Sequence, residues 1–510
     1  MEVKIKEGMQ WPPTSFLRFK LQEHSAWYSG DPNILANFYH MALASQITGL
    51  PHLVDRDRFW SRQIKNDQEV GVHVPIAGDI ASTSADLMFA ESPIIKIAEA
   101  HEEKASDDAK KTQERLELML DGNGFYKRLL EGAETCAAMG GVYIKLAWDQ
   151  ELSEWPIPVV EQADFAIPEF KFGILNKVTF WRVAKEDENA TKVWWLLENY
   201  NNDGSINYEL YQGTGDRLGY KVDLDSIDET KDLEDVETQV DELLCVFVPN
   251  VLPNRLNRGS YFGRSDYAGI ESLMDSLDQT FTSWIRDIIL AQGRIYVPST
   301  FLEKRESGFK FNVDKMLFAP LEMDPTVEGS KITAEQFLIQ AEQYQVSVLN
   351  LLERIISSAG YSPQSFGLNI EGRAESGTAL TIRERKSLAT KSKKEAYWDE
   401  AIKRVVKLML ALYKTELAGE VNPDLSVSAQ FSDSITNDLS EISEAVLKIA
   451  NASAASTETK VRMLHQDWSE DEVKAEVQRI LDESNFTLTD PDDLEAQFNA
   501  DEDGDEEDDE

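Results

Sequence analysis

Reactive side chains are few and scattered in this chain. The six histidines, His24, His40, His52, His73, His101 and His465, share no ligand-like spacing, and neither an HExxH nor a GxSxG motif occurs. No GxxxxGK[ST] loop offers a cradle for nucleotide phosphates. Cys136 and Cys245 lie far apart without a CxxC partner, which argues against zinc and against a disulfide framework and fits a reducing compartment. Acid is everywhere: 92 Asp and Glu against 51 Lys and Arg give a net charge of −41, so no carboxylate pair stands out as an acid and base. Asn499, Asp501, Asp503, Gly504 and Glu510 fall at positions one, three, five, six and twelve of a calcium loop, but Glu506 stands where an apolar residue is normal. A second near-match at 199–210 is better explained by the hairpin-turn chemistry of Asn201-Asn202-Asp203-Gly204. The expectation is no enzyme, no cofactor and no metal.

What remains is the chemistry of charge and shape. A surface this acidic repels free nucleic acid rather than gripping it, and suits either plain solubility or an aqueous passage through which DNA slides without sticking. One basic cluster departs from the background: Arg383, Arg385, Lys386, Lys391, Lys393 and Lys394. Its plain reading is a solvated helix face. The sharper readings are contact with the acidic surface of a neighbouring subunit, which is favoured, or with DNA phosphates. No aromatic residues interleave with it, which disfavours single-strand binding. No stretch approaches the ~18 apolar residues of a membrane span. The start, MEVKIKEGMQWPP, has no apolar signal core, so a soluble protein outside the classical export route is expected.

These groups must be positioned by several domains, given 510 residues. Residues 1–140 read as mostly helical. Asp31-Pro32 starts one helix, others are expected at about 82–91, 107–120 and 124–138, and Gly140-Gly141 makes a C-cap. From 141 the period changes to strands, at 142–148, 178–183, 192–200, 206–211 and 243–248, giving a sheet of about five strands with an acidic excursion at 223–242. A helix over 265–292 carries an apolar stripe, Ile270, Leu273, Leu277, Phe281, Trp284 and Ile288, and an opposite acidic face, Glu271, Asp275 and Asp278. Short strands follow at 294–297 and 309–318. A second helix is expected over 333–358, opened by a capping box of Thr333 and Gln336. If antiparallel, the two helices hold the small β module at the tip of a hairpin.

Gly360, Pro363, Gly367, Gly372 and Gly377 then make a mobile loop. A helix without Pro or Gly follows over 378–418, with a stripe at Trp398, Ile402, Val405, Met409 and Leu412. Three shorter helices are expected at about 439–450, 457–464 and 469–483, and a disordered acidic end from Asp490.

The run FGLNIEGRAESGTAL at 366–380, continued by RERKSLATKSKKEAYWDEAI at 383–402, resembles the tunnel loop and following helix of tailed-bacteriophage portal (head–tail connector) proteins. The resemblance covers most of the chain and is vague over the first 130 residues. It implies an α+β subunit with an α/β wing at 1–264, a two-helix stem at 265–292 and 333–357, and a small β clip at 293–332. A tunnel loop at 358–376, a long wing helix at 377–419 and a helical crown at 420–484 complete it, with a disordered acidic tail at 485–510. It further implies a ring, usually of twelve subunits, at one capsid vertex, assembled in the host cytoplasm. Its partners would be double-stranded DNA in transit, the terminase large subunit, the major capsid and scaffold proteins and a head–tail adaptor, with no membrane. On that reading Ser362, Gln364, Asn369, Glu371 and Arg373 face the DNA from the tunnel loop, and Glu271, Asp275 and Asp278 line the stem. Arg294, Lys304, Arg305 and Lys310 of the clip meet terminase and adaptor, and the basic helix meets the next subunit. A short clip departs from the family pattern, and the acidic tail is not part of it. The rival readings are a capsid-associated scaffold protein with no channel, and an enzyme.

Overall fold

A computed structural model describes residues 4–13, 15–44, 58–62, 71–101, 106–189, 191–291, 294–298, 304–305, 308–309, 318–321, 333–335, 339–368, 377–431, 439–452, 454–465 and 470–486. The near-match at 499–510, the acidic end, and expected sites Asn369, Glu371, Arg373 and Lys310 lie outside the described residues. The chain divides into two compact units, Met1–Gly372 with Arg383–Ser434, and Arg373–Ile382 with Ile435–Glu510.

The first unit opens with helices whose starts are set by caps. The Ser15 hydroxyl accepts from Arg18 N at the start of α1 (Phe16–Tyr28), and the Asp31 carboxylate from Asn33 N at the start of α2 (Pro32–Ala44). Sequence alone gave no sign of α1, because buried Glu23 and His24 interrupt its apolar face. Then come α3 (Ile76–Phe89), β1 (Ile94–Ile97), α4 (Asp107–Gly122) and α5 (Phe125–Met139). Gly140, at φ 87°, ends α5 as expected.

The single expected sheet is in fact two. β2 (Gly141–Ala147) lies between β3 (Ile157–Gln162) and β10 (Cys245–Pro249). A meander of β4 (Ala166–Lys171), β5 (Ile174–Glu186), β6 (Val193–Asn201), β7 (Ser205–Thr214) and β8 (Arg217–Val222) forms the second, with β9 (Val236–Glu237) also on β7. The 199–210 near-match is the β6–β7 hairpin.

Next is α6 (Glu271–Leu290), then backbone pieces β11 (Arg294–Pro298), β12 (Lys304–Arg305), β13 (Gly308–Phe309), β14 (Phe318–Leu321) and β15 (Thr333–Glu335), then α7 (Ala341–Ala359). β11 pairs parallel with β14 and antiparallel with β15, and β12 with β13. Thr333 pairs with Tyr296 across strands, so it caps no helix, and α7 starts eight residues later than the capping box implied. The 40-residue α8 (Gly377–Glu416) buries all five stripe residues from Trp398 to Leu412. β16 (Val427–Gln430) pairs with β1. In the second unit, α9 (Leu439–Asn451), α10 (Thr457–Leu464) and α11 (Glu470–Phe486) bury Val446, Val461 and Val473.

One close crossing fixes where α6 leaves the body. Gly140 and Gly263 pass backbone to backbone; a Cβ on Gly140 would stand 2.8 Å from Ser265 N, and one on Gly263 2.2 Å from Gly140 O. Ser265–Ile270, which leads into α6, follows directly. Gly140→Ala combines that clash with a left-handed φ. It is expected to destabilise the protein by roughly 2 kcal/mol, read as a lower urea midpoint at unchanged m; an unchanged midpoint would show that the crossing relaxes freely.

Candidate functional site: a helix hairpin and its buried root

α6 and α7 run antiparallel. Tyr344, one turn into α7, stacks on Trp284 near the end of α6, with ring centroids 6.0 Å apart and planes 7° from parallel, and donates to Asp287 Oδ2 at 2.8 Å. At ~1.5 Å per residue, the 20 residues of α6 make a rod of roughly 30 Å.

The acidic face expected to line a channel points the other way. Asp278 is fully buried; its carboxylate accepts from Trp60 Nε1 and Val74 N and pairs with His73 Nδ1, each at 2.8 Å. Asp275 accepts from Phe59 N at 2.8 Å and Trp60 N at 3.2 Å. Glu271 lies 3.5 Å from Lys20 Nζ and 3.7 Å from His24 Nε2. Burial alone would raise the Glu271 carboxyl, but the His24 and Lys20 side chains outweigh it and hold it low, at about 2. Burial instead wins at Asp275, raising it above the usual carboxylate range against the pull of its two amide donors. All three are buried as well as answered by their own chain, so Glu271, Asp275 and Asp278 are internal struts. A further set joins them: Tyr39 donates to Glu23 Oε1 at 2.8 Å, and Arg58 reaches both groups.

The exposed face of α6 is uncharged over its first turns and ends on the exposed Arg286. Ser272, Ser276, Gln279 and Ser283 recur at helical spacing, and Ser276 and Ser283 donate back to the carbonyls four residues earlier. The buried stripe of Met274 and Leu277 continues into Ile285, Ile288 and Ile289, which are 39–46% exposed. On α7, Val346 and Leu349 are also exposed.

The basic helix is likewise turned inward over half its length. Lys394 is buried; its ammonium donates to Asp266 Oδ2 and Ser84 Oγ at 2.6 Å and to the Tyr361 hydroxyl at 3.0 Å. Tyr361 itself donates to Asp266 Oδ2 at 2.7 Å, and Asn250 Nδ2 to Asp266 Oδ1 at 2.8 Å. Lys391 is buried beside Glu395, and Lys386 donates to Ser357 O. Lys394 and Lys391 serve the subunit's interior rather than a neighbour, whereas Lys386 is exposed. Arg385 and Lys393 are exposed, and Arg383 is placed by its backbone in α8.

The first part of the expected mobile loop is packed. Gly360, at φ 106°, ends α7, and Thr390 Oγ1 donates to its carbonyl at 2.6 Å. Ser362 is buried, its amide on Ser387 Oγ at 2.8 Å, so it does not face DNA as expected. Gln364 is half-buried in the short turn Pro363–Phe366. Of the tip residues, Arg294 lies in β11 and Lys304 and Arg305 in β12, placed by backbone alone.

No signal in the sequence could have joined Asp266 to Lys394 or Asp278 to His73, because the partners stand 128 and 205 residues apart. Among the described residues no group of three His, Cys, Asp or Glu side chains could hold a metal ion, and no helix is long and apolar enough to cross a membrane.

A family model described as phage portal protein, SPP1 Gp6-like, matches residues 18–487. No curated protein matches the chain. Among solved structures, a chain from the neck of an empty GTA particle is similar at 11% identity and TM-score 0.41, over 77% of this chain and 90% of that one. A chain from the virion of a native gene transfer agent particle is similar at 10% identity and TM-score 0.37, over 90% and 96%.

Lys394→Met leaves the Asp266 carboxylate buried without its ammonium. We expect a loss of ~3–5 kcal/mol by urea denaturation. The Lys394→Met/Asp266→Asn pair should lose clearly less than the two single changes summed; additive losses would mean the two groups do not interact.

Proposed function

The chain belongs to the SPP1 Gp6-like family of phage portal proteins, and from that premise we propose that its copies close into a ring at one capsid vertex, enclosing the path of double-stranded DNA. The observation that carries the ring is the apolar stripe of α6, which is covered by the subunit's own core at Met274 and Leu277 and left open at Ile285, Ile288 and Ile289. Exposed apolar residues in continuation of a buried stripe call for a cover. Another subunit's helix hairpin supplies one.

The DNA-facing side of α6 is then the one that carries Ser272, Ser276, Gln279 and Ser283 and ends at Arg286. Hydroxyls already donating to their own backbone present acceptor lone pairs outward. Such hydroxyls are wetted but give phosphates no donor, which leaves the Gln279 amide and the Arg286 guanidinium as the few anchors on this face, and few anchors suit a duplex that must move. The tunnel segment begins after Leu368, because residues 361–368 are fastened to α8. Asn369, Glu371 and Arg373 remain the candidates for touching DNA there. Twelve subunits, docking of the terminase large subunit and then a head–tail adaptor on the tip through Arg294, Lys304, Arg305 and Lys310, contacts with major capsid and scaffold proteins, and assembly in the host cytoplasm complete the reading.

Two experiments test it. Purified protein is expected to give closed rings in negative-stain images and a multi-subunit mass by light scattering; Ile285→Glu/Leu349→Glu should weaken assembly at least ~10-fold while leaving the far-ultraviolet circular dichroism intact. A monomer at every concentration and salt would end the ring reading. Removing residues 369–374 should leave rings intact and lower DNA packaging or retention; failure of assembly would make that segment structural instead.

A further inference from the structure

Phe172 is wholly exposed and sits at φ 53°, followed by Gly173 at φ 87°. Two successive positive φ values make a tight β4–β5 hairpin tip, where Asn or Gly is the unstrained first residue. A Phe there costs backbone strain and leaves its ring in water, so the local fold gains nothing from it.

The ring is not isolated. Ile174 beside it is 65% exposed and Tyr261 49%. Tyr261 packs on Phe170 at 5.7 Å and lies over Gly173, where a Cβ would come within 3.3 Å of its ring. The loop carrying Tyr261 holds the positive charge. Between residues 250 and 265 there are three arginines, Arg255, Arg258 and Arg264, and no acid. Arg255 and Arg258 are exposed. Burial lowers Arg264 and Arg255 close by lowers it further, with Asp266 only partly offsetting them. An apolar tip packed against a loop that carries arginine and no acid between 250 and 265 is anomalous in a chain of net charge −41.

Its complement is at the other end of the same sheet. Residues 223–237 carry eight acids and one lysine. Leu224, Ile227 and Leu233 fasten this segment over Leu196 and Leu210, which leaves Asp225, Asp228, Asp232 and Glu234 among the residues facing solvent. Glu229 pairs with Lys185, eleven residues along β5 from Ile174, so the two patches stand roughly 36 Å apart at ~3.3 Å per residue.

We propose that the Phe172 tip, together with the arginine-bearing loop of Tyr261 packed beside it, docks on the acidic 223–237 segment of a second copy of this chain. Two unlike patches at opposite ends of one rigid sheet cannot meet within a subunit. Between copies they make a head-to-tail contact, the type that closes rings or grows chains. The proposal rests on self-association, and adds to the apolar hairpin contact a second, electrostatic one.

The test uses the full chain. Phe172→Cys/Glu234→Cys is expected to give a ladder of disulfide-linked oligomers on mild oxidation, while either single variant gives none; native Cys136 and Cys245 are buried and do not compete. Arg255→Glu/Arg258→Glu should raise the concentration needed for assembly by about tenfold at low salt, and adding Asp232→Lys/Glu234→Lys should restore it. Rings that form without a ladder and ignore the reversal would overturn this proposal while leaving the ring reading standing. Dimers from Phe172→Cys alone would overturn it too, since they mark a tip-to-tip contact or a different occupant. If closed rings never form, the ring reading falls, yet the double-cysteine ladder is still expected; no ladder then also ends this proposal.

Discussion

A carboxylate with no exposed surface must be answered by donors, and Asp278 is answered by the Trp60 indole, the His73 ring and the Val74 amide. Asp275 is answered by two further amides and Glu271 by Lys20 and His24. Three successive turns of α6 are thereby keyed to residues more than 200 positions earlier. Rotating the helix about its axis by one residue would withdraw every carboxylate from its donors and leave charge buried alone, which costs several kcal/mol per ion. The direction of the hairpin is therefore set by electrostatics, with apolar packing filling around it.

The root of the hairpin is held by a second buried charge as well. Asp266 stands five residues before α6 and Tyr361 two residues after α7, and both meet Lys394 of α8. One ammonium thus ties together the chain leaving the body and the chain returning to it. Ser84 of α3 adds a fourth element. Anything that displaces α8 must act on both roots at once, and any force on the hairpin tip is delivered to α8 through a bond in a low-dielectric interior rather than through a solvated loop.

The sequence pattern located the two rods, the long helix and its stripe, the Gly140 stop and the hairpin at 201–205, because each is a local signal of period or turn chemistry. It misassigned the charges. Amphipathic reasoning sends the polar face of α6 outward, and it fails here because the answering donors belong to residues 58–74 and 20–24, invisible at helical spacing. The same error placed Lys391 and Lys394 on a neighbour, while the resemblance placed Ser362 on DNA, and it is instead buried against Ser387. The Thr333–Gln336 capping box failed because a strand partner at Tyr296 competes for the same backbone. In each case a long-range polar contact overrode a correct local rule, and these contacts concentrate where the hairpin is rooted.

Self-association of so acidic a chain poses a Coulombic problem that the charge distribution resolves locally. At physiological ionic strength screening sets in over about 8 Å, so the −41 of one copy is felt by the next only where surfaces approach within that distance. What decides association is then the few charges at the contact. The exposed end of α6 offers Ile285, Ile288 and Ile289, and the loop at 250–265 carries arginine without acid, while 223–237 carries acid almost without base. Interspersed signs over the whole surface would have given the same net charge and no preferred partner orientation. Segregation into a basic apolar tip and an acidic far end makes one head-to-tail orientation attractive and leaves like-with-like approaches repulsive, which is a specification against wrong contacts as much as for the right one.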